Sequence, residues 1–271
     1  MEVSFIKTSP TENMTILVET LIPQEDHLAV AKCLIAYNSI YAEQAGFILE
    51  PRDKRATAAL RMMAGEFCGN ATLSLAAWVM ERRSVPVGTK ETMLLEVSGA
   101  EDLVRCELQK EERGYFGSVE MPLPLSMKEE LFSLEGKEYT LPVVRFDGIT
   151  HIIVRKNLWG EAARKKAEQA AVAWAEGMPV AFGILLWTEE TKELEPLVCL
   201  QGASLVWERG CGSGTSAIGA YAAVKKGRSV SLQCREPGGT MGVEAHVQEG
   251  KLCSLAIAGH VDIVAVGKAY L

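Results

Sequence analysis

The chain has 271 residues, of which 48% are hydrophobic and 23% are charged, and its net charge is −7. This composition is typical of a globular protein and excludes the disordered and membrane classes. The charges are scattered, so there is no basic block of the kind that binds nucleic acid. No apolar stretch approaches the roughly 20 residues that span a bilayer, and no secretory signal opens the chain, so we expect a cytoplasmic protein.

Cysteine and histidine usage gives no support for a metal site. The seven cysteines are an odd number and none lies in a CxxC pair, which argues against a disulfide framework and a structural zinc. With four histidines and no HExxH motif, a catalytic zinc is equally unsupported. We expect organic chemistry that uses no metal.

The first half alternates predicted strands with two predicted helices. Runs rich in β-branched and aromatic residues predict strands at 3–7, 14–19, 46–50, 93–98, 103–108 and 115–121. Helical spacing predicts an amphipathic helix over 24–41 and a second helix over 69–81. Because the second helix is apolar nearly all round, we expect it in the middle of its domain with a sheet wrapped around it.

The second half repeats this order. Strands are predicted at 139–146, 150–155, 180–187, 197–200 and 205–208, and helices at 160–176 and 212–224. MTILV at 14–18 aligns with THIIV at 150–154, and CGNAT at 68–72 aligns with CGSGT at 211–215. Two landmarks at nearly one spacing predict a duplicated α+β unit. We expect two pseudo-symmetric domains, residues 1–125 and 126–271, each a curled, mostly antiparallel sheet around a central helix, with a linker in the Pro- and charge-rich stretch 121–138.

A cysteine stands before the apolar helix of each half, Cys68 in the first and Cys211 in the second. The first turn of a helix has unpaired N–H groups and a partial positive charge, which attract an anion and favour a thiolate. A glycine follows each cysteine and allows a ligand to approach the backbone. The residues expected to hold a substrate carboxylate are Gly69, Asn70, Gly212, Ser213, Gly214 and Thr215.

Two thiols suit a reaction that inverts the α-carbon of an amino acid. One group must remove the α-proton and another must return a proton to the opposite face, and a thiol needs only modest tuning for either task. A single cysteine is more often a buried core residue. The equivalent placement of Cys68 and Cys211 in a repeat favours catalysis, while the other five cysteines lie in strand- or helix-like runs and are interpreted as structural.

These motifs resemble those of the diaminopimelate epimerase and proline racemase superfamily over the whole chain. GEFCGN at 65–70 resembles the first catalytic motif of the epimerases, and CGSGTSA at 211–217 resembles the second in its proline racemase form. The departures bear on the substrate. The epimerases have an Asn-Ala-Asp-Gly run and an Asn-Pro-His triplet where this chain has Met63-Ala64-Gly65 and Ile149-Thr150-His151. Their Glu-Arg pair lies further from the second cysteine than Glu208-Arg209 lies from Cys211. Proline racemases have a histidine at the position of Asn70.

Six motifs taken together resemble the histidine racemases of opine-type metallophore pathways most closely. They are NMTILV, AEQAGFI, EFCGNAT, CGSGT, EPGG and GKAY. This resemblance implies a cofactor-independent racemase of histidine. It also implies further substrate-binding residues, which are Asn13, Glu43, Gln44, His151 and Glu208. A carboxylate such as that of Glu43 would accept an imidazole N–H and favour the imidazolium.

Two alternatives stay open at this point. The first is epimerisation of diaminopimelate or racemisation of another amino acid, and the second is a binding or isomerase-type relative that kept the fold and lost the thiol chemistry. The expected partner is a small amino acid, with no nucleic acid and no membrane. The sequence leaves open whether the chain forms a homodimer.

Overall fold

A computed structural model describes all residues, 1–271. The chain divides into two compact units, one formed by Met1–Met121 together with Ile257–Leu271 and the other by Pro122–Ala256. None of the helices combines the length and apolar character that crossing a membrane requires.

The first unit is a curled sheet that closes on itself. Its strands in chain order are β1 (Glu2–Pro10), β2 (Thr15–Val18), β3 (Gln44–Leu49), β4 (Ala58–Met62), β5 (Lys90–Val97), β6 (Val104–Lys110), β7 (Tyr115–Glu120) and the C-terminal part of β16 (Lys251–Tyr270). Neighbours in this order pair with one another, and β16 pairs with both β7 and β1. The ring therefore has no free strand edge.

Helix α2 (Gly69–Arg82) occupies the inside of this ring. It contacts every strand from β1 to β7, and ten of its fourteen residues are buried. Its run of small and apolar residues explains this position, because no face of the helix is polar enough for water. The predicted central helix is confirmed. Helix α1 (His27–Ile35) packs against β3 with its buried residues Val30, Ala31 and Leu34, in a core separate from α2.

The second unit also has a mostly antiparallel sheet. Its strands are β8 (Ser126–Leu134), β9 (Lys137–Arg145), β10 (Thr150–Arg155), β11 (Ala181–Thr188), β12 (Glu193–Leu200), β13 (Ser204–Trp207), β14 (Val230–Glu236) and β15 (Gly239–Gln248), followed by the start of β16. The strand order ends at β8, which pairs only with β9, so this sheet is not closed. Helix α4 (Gly212–Lys226) packs against β9, β10, β14 and β15. Helix α3 (Ala163–Trp174) packs against β8, β11 and β12 over a core that includes Trp159 and Phe182.

The two units share one sequence of connections. In each, the sheet is mostly antiparallel, and a helix joins two parallel strands twice. In the first unit α1 connects the parallel strands β2 and β3, and α2 connects the parallel strands β4 and β5. In the second unit α3 connects the parallel strands β10 and β11, and α4 lies between the parallel strands β12 and β14. The predicted α+β class with curled sheets is confirmed.

Three details differ from the sequence-based expectations. The stretch predicted as a linker contains β8, which pairs with β9 through nine residues. Its charge-rich part is therefore an edge strand, and its two prolines, Pro122 and Pro124, lie before that strand. The strands β14, β15 and β16 were not predicted, because they carry polar residues on one face or are broken by glycine. Strand β4 was not predicted because its sequence, Ala-Ala-Leu-Arg-Met, has no β-branched or aromatic residue. Residues 257–271 lie in the first unit, not with the second half as in the predicted division, because they pair with β1.

Candidate active site

Cys68 is the N-cap of α2, in an extended conformation immediately before Gly69. Its Sγ accepts a hydrogen bond from the backbone N–H of Ala71 at 3.4 Å. Its carbonyl accepts the N–H and the hydroxyl of Thr72, at 3.0 and 2.8 Å. The thiol is half-buried, so the helix start holds a reactive group in a defined position.

The side chain of Gln44 connects Cys68 to the start of β2. The Cys68 thiol donates to Gln44 Oε1 at 3.1 Å. Gln44 Nε2 donates to Asn13 Oδ1 at 2.7 Å and to Thr15 Oγ1 at 2.9 Å. All polar atoms of the Gln44 amide are therefore engaged within the protein, which fits a role in holding Cys68 better than direct contact with a substrate.

The turn that carries Asn13 has an unusual backbone. Thr11 and Glu12 both have positive φ, at 49° and 57°, a conformation that is costly for residues other than glycine. Two backbone hydrogen bonds hold the turn. The Asn13 N–H donates to the Pro10 carbonyl at 2.9 Å, and the Thr11 N–H donates to the His260 carbonyl at 3.1 Å. Asn13 is 4% exposed, so the strained turn directs its side chain inward.

The segment before Cys68 lies tightly against the end of β5. Ser98 Oγ donates to the Glu66 carbonyl at 2.7 Å and accepts the Met62 N–H at 2.9 Å. Gly99 has φ +72°, and a Cβ there would lie 2.7 Å from the Glu66 carbonyl carbon. Glycine is therefore required at 99 to let this segment approach.

Cys211 is the N-cap of α4 and is 3% exposed. Its backbone N–H donates to Glu236 Oε2 at 2.6 Å, and the hydroxyl of Thr215 donates to the other oxygen of the same carboxyl group. Glu236 thus takes up two donors at the start of α4. Burial raises its pKa to about 8 against these two hydrogen bonds, which favour the carboxylate.

Two carboxyl groups surround the Cys211 thiol. Burial raises the pKa of Cys211 well above its ordinary value, and the charges of Glu208 and Glu236 raise it further. Burial also raises the pKa of Glu208, while the hydrogen bond from Cys211 lowers it. The thiol and the Glu208 carboxyl group therefore form a pair in which a proton on sulfur has an acceptor beside it.

His151 lies under the same helix start. Its ring is completely buried, Nε2 is 2.8 Å from Ser213 Oγ, and that oxygen is 3.6 Å from Cys211 Sγ. Burial lowers the pKa of His151 to about 3, so the imidazole is neutral. A Cβ at Gly183 would overlap His151 Nδ1 and lie 2.9 Å from His151 Cε1, so glycine in β11 makes room for the ring. His151 orients Ser213, and its predicted contact with substrate stays a prediction.

The remaining predicted residues lie at the two helix starts or beside them. Asn70 and Gly69 are buried in the first turn of α2, and Glu43 is exposed just before β3. A Cβ at Gly69 would lie 2.7 Å from Met121 Sδ, and one at Gly214 would lie 3.2 Å from Cys211 Sγ. Gly212 and Thr215 are buried in the first turn of α4.

Two residues of the site were missed by the sequence analysis. Thr15, which orients Gln44, lies inside a run that was interpreted only as a strand. Glu236 immediately precedes the Pro-Gly-Gly turn that opens β15, and a charged residue at the end of an alternating strand was the available signal. Neither position carries a motif of its own.

Comparison with known proteins decides the family. The sequence profile described as "Histidine racemase CntK N-terminal domain" matches residues 2–270. The chain belongs to this histidine racemase family. A histidine racemase of Fusobacterium nucleatum subsp. nucleatum is 28% identical over 98% of this chain and 97% of its own length. Another histidine racemase, of Staphylococcus aureus, is 28% identical over 99% of this chain and 98% of its own length.

Solved structures show the same fold at much lower identity. A hydroxyproline epimerase from Agrobacterium vitis with bound trans-4-hydroxy-L-proline has a TM-score of 0.76, at 12% identity over 99% of this chain and 92% of its own. A probable proline racemase from Agrobacterium radiobacter has a TM-score of 0.73, at 11% identity over 98% and 92%. This member of the histidine racemase family therefore shares its architecture with proline racemase-like proteins.

Proposed function

We propose that the chain interconverts L- and D-histidine without a cofactor, with Cys68 and Cys211 as its two acid/base groups. The observation that carries the proposal is the equivalent placement of these cysteines, each the N-cap of a buried helix in its own unit. Membership of the histidine racemase family and the two curated relatives support histidine as the substrate.

The first step is removal of the α-proton. Cys211 has a carboxyl acceptor beside it, so Glu208 takes the thiol proton and the resulting thiolate takes the α-proton of the substrate. The thiol of Cys68 then delivers its proton to the opposite face of the carbanion and becomes a thiolate. The opposite enantiomer is converted by the same steps in reverse, with Cys68 as the base.

The helix starts supply the electrostatic part of the reaction. Removing an α-proton places negative charge on the substrate carboxylate, and backbone N–H groups in the first turns of α2 and α4 stabilise that charge. His151 is neutral, so it holds Ser213 beside Cys211 without adding a positive charge to the site. Glu43 is proposed as the partner of the imidazole ring.

Exchange of the α-proton with solvent tests the proposal. Purified protein incubated with L-histidine in D2O should yield D-histidine that carries α-deuterium, and proline and diaminopimelate run in parallel should not react. Cys68→Ser and Cys211→Ser should each lower turnover at least about a hundredfold, because each removes one proton-transfer group. The matched control is Cys33→Ser, which replaces an exposed cysteine and should leave the rate unchanged. Full activity in either active-site variant would show that the two-thiol assignment is wrong.

We also propose that the protein works in the cytoplasm. All seven cysteines are free thiols, and the proposed chemistry needs two of them reduced, which fits a reducing compartment. Sedimentation of the purified chain checks whether it forms the homodimer that the sequence left open.

A further inference from the structure

A chain of hydrogen bonds whose directions are all determined leads to Cys68. It begins at the backbone carbonyl of Asn13, which can only accept. The hydroxyl of Thr15 lies 3.1 Å from that oxygen and donates to it. The single proton of Thr15 is therefore used, and its oxygen can only accept from its next neighbour.

That neighbour is the amide of Gln44, which this arrangement orients. Gln44 Nε2 lies 2.9 Å from Thr15 Oγ1 and must be the nitrogen, because only an N–H can donate there. The second N–H points to Asn13 Oδ1 at 2.7 Å. The opposite orientation would place the amide oxygen against two acceptors, so Oε1 faces Cys68.

The orientation of Gln44 determines what the sulfur can do. Oε1 has no proton and lies 3.1 Å from Cys68 Sγ, so the sulfur must donate. At the same time Sγ accepts the N–H of Ala71 at 3.4 Å. A neutral thiol can donate and accept together, whereas a thiolate can only accept and would be repelled by the carbonyl oxygen.

We propose that Gln44 is a positioning residue that holds Cys68 as a protonated thiol in the free protein. The inference rests on the proposed function for its meaning, because it makes Cys68 the proton donor of the first half-reaction. The free protein then begins with the enantiomer whose α-proton faces Cys211. Conversion of the other enantiomer requires a protein in which Cys68 has already given up its proton.

The alkylation rate of Cys68 is the first test, since only the thiolate reacts with iodoacetamide. The rate is followed at one pH by mass spectrometry of the Cys68 peptide. Gln44→Met keeps the length of the side chain and removes the acceptor, so the rate should rise about two- to tenfold, the range expected for one neutral hydrogen bond. Gln44→Glu keeps an acceptor oxygen and adds a negative charge, so the rate should stay at or below the wild-type rate. If Gln44 had only a structural role, both substitutions would change the alkylation rate of Cys68 in the same direction. Gln233→Met, on an exposed position of β14, is the control.

Infrared spectroscopy gives a readout that does not depend on activity. The wild-type spectrum minus that of Cys68→Ser should contain an S–H stretching band, at lower frequency than a free thiol because the proton is hydrogen-bonded. The band should move to higher frequency in Gln44→Met. If Gln44→Met does not fold, Thr15→Val removes the hydroxyl that orients the amide and should produce the same shift to a smaller extent.

The outcomes separate this inference from the proposed function. If the S–H band of Cys68 is absent at neutral pH, or if Gln44→Met and Gln44→Glu change the alkylation rate equally, the role of Gln44 is wrong even in an active racemase. If the band is found, and alkylation of Cys68 is faster in Gln44→Met but not in Gln44→Glu, in a protein that racemises no amino acid, the role of Gln44 holds and the proposed function fails.

Discussion

Replacing Glu236 with glutamine should remove a loss of stability that the protein undergoes as the pH rises. The carboxyl group has a pKa of about 8 in the folded protein and about 4.5 when unfolded. Between these values the folded protein keeps a proton that the unfolded chain has released. The contribution to stability is therefore complete below pH 4.5 and is lost as the pH rises towards 8. The loss is about 1.4 kcal/mol for each pH unit.

The glutamine variant should keep the local structure. Its amide oxygen can accept the Cys211 N–H, and its nitrogen can donate to Thr215, whose hydroxyl accepts as readily as it donates. Its stability should therefore have no contribution from residue 236 that depends on pH.

Urea denaturation at two pH values measures the difference. Between pH 5.5 and 7.5 the wild-type free energy of unfolding should fall by about 2.5 kcal/mol more than that of Glu236→Gln. Glu129→Gln, on an exposed position of β8, controls for the general change in charge and should follow the wild type. Equal losses in the wild type and Glu236→Gln would refute the assignment of a retained proton to this carboxyl group.

Three other substitutions test different parts of the site. Glu208→Gln removes the carboxylate that accepts the Cys211 thiol proton. It should lower kcat about a hundredfold or more with little change in KM, as measured by polarimetry. An unchanged kcat would exclude Glu208 from proton transfer. Gly99→Ala places a Cβ against the segment before Cys68 at φ +72° and should lower the free energy of unfolding by about 1–3 kcal/mol. The control is Gly88→Ala, at φ +89° with open space around it. It should lower the free energy of unfolding by less in the same denaturation assay. Glu43→Gln should raise the KM for histidine about tenfold if the carboxylate binds the imidazolium, and an equal KM in the two proteins would assign the ring to another group.

The sequence predicted the helices and the cysteines better than the strands and the polar contacts. Helix α2 could be located because ATLSLAAWVM leaves no face for water, and the repeat of Cys-Gly and Thr located α4 in the same way. Strand β8 escaped prediction because its alternation is broken by charged residues that only an exposed edge tolerates. Its partner β9 determines its structure, and that pairing is not encoded locally.

The contacts around the thiols depend on residues distant in the chain. Glu236 reaches Cys211 across 25 positions, and Gln44 reaches Cys68 across 24. Such contacts follow from strand pairing and not from any local pattern. The direction of the Gln44 amide depends in addition on a backbone carbonyl, which no side-chain motif reports.

The pairing of β1 with β16 has a consequence for how the protein forms during synthesis. The residues that pair, such as Glu2 with Tyr270, are at opposite ends of the chain. The second unit is continuous from Pro122 to Ala256, so it can fold as soon as those residues are made. The first unit must wait for its last strand, although most of it is translated first. Until then the edges of β1 and β7 that pair with β16 remain open, and open strand edges make a nascent chain prone to aggregation.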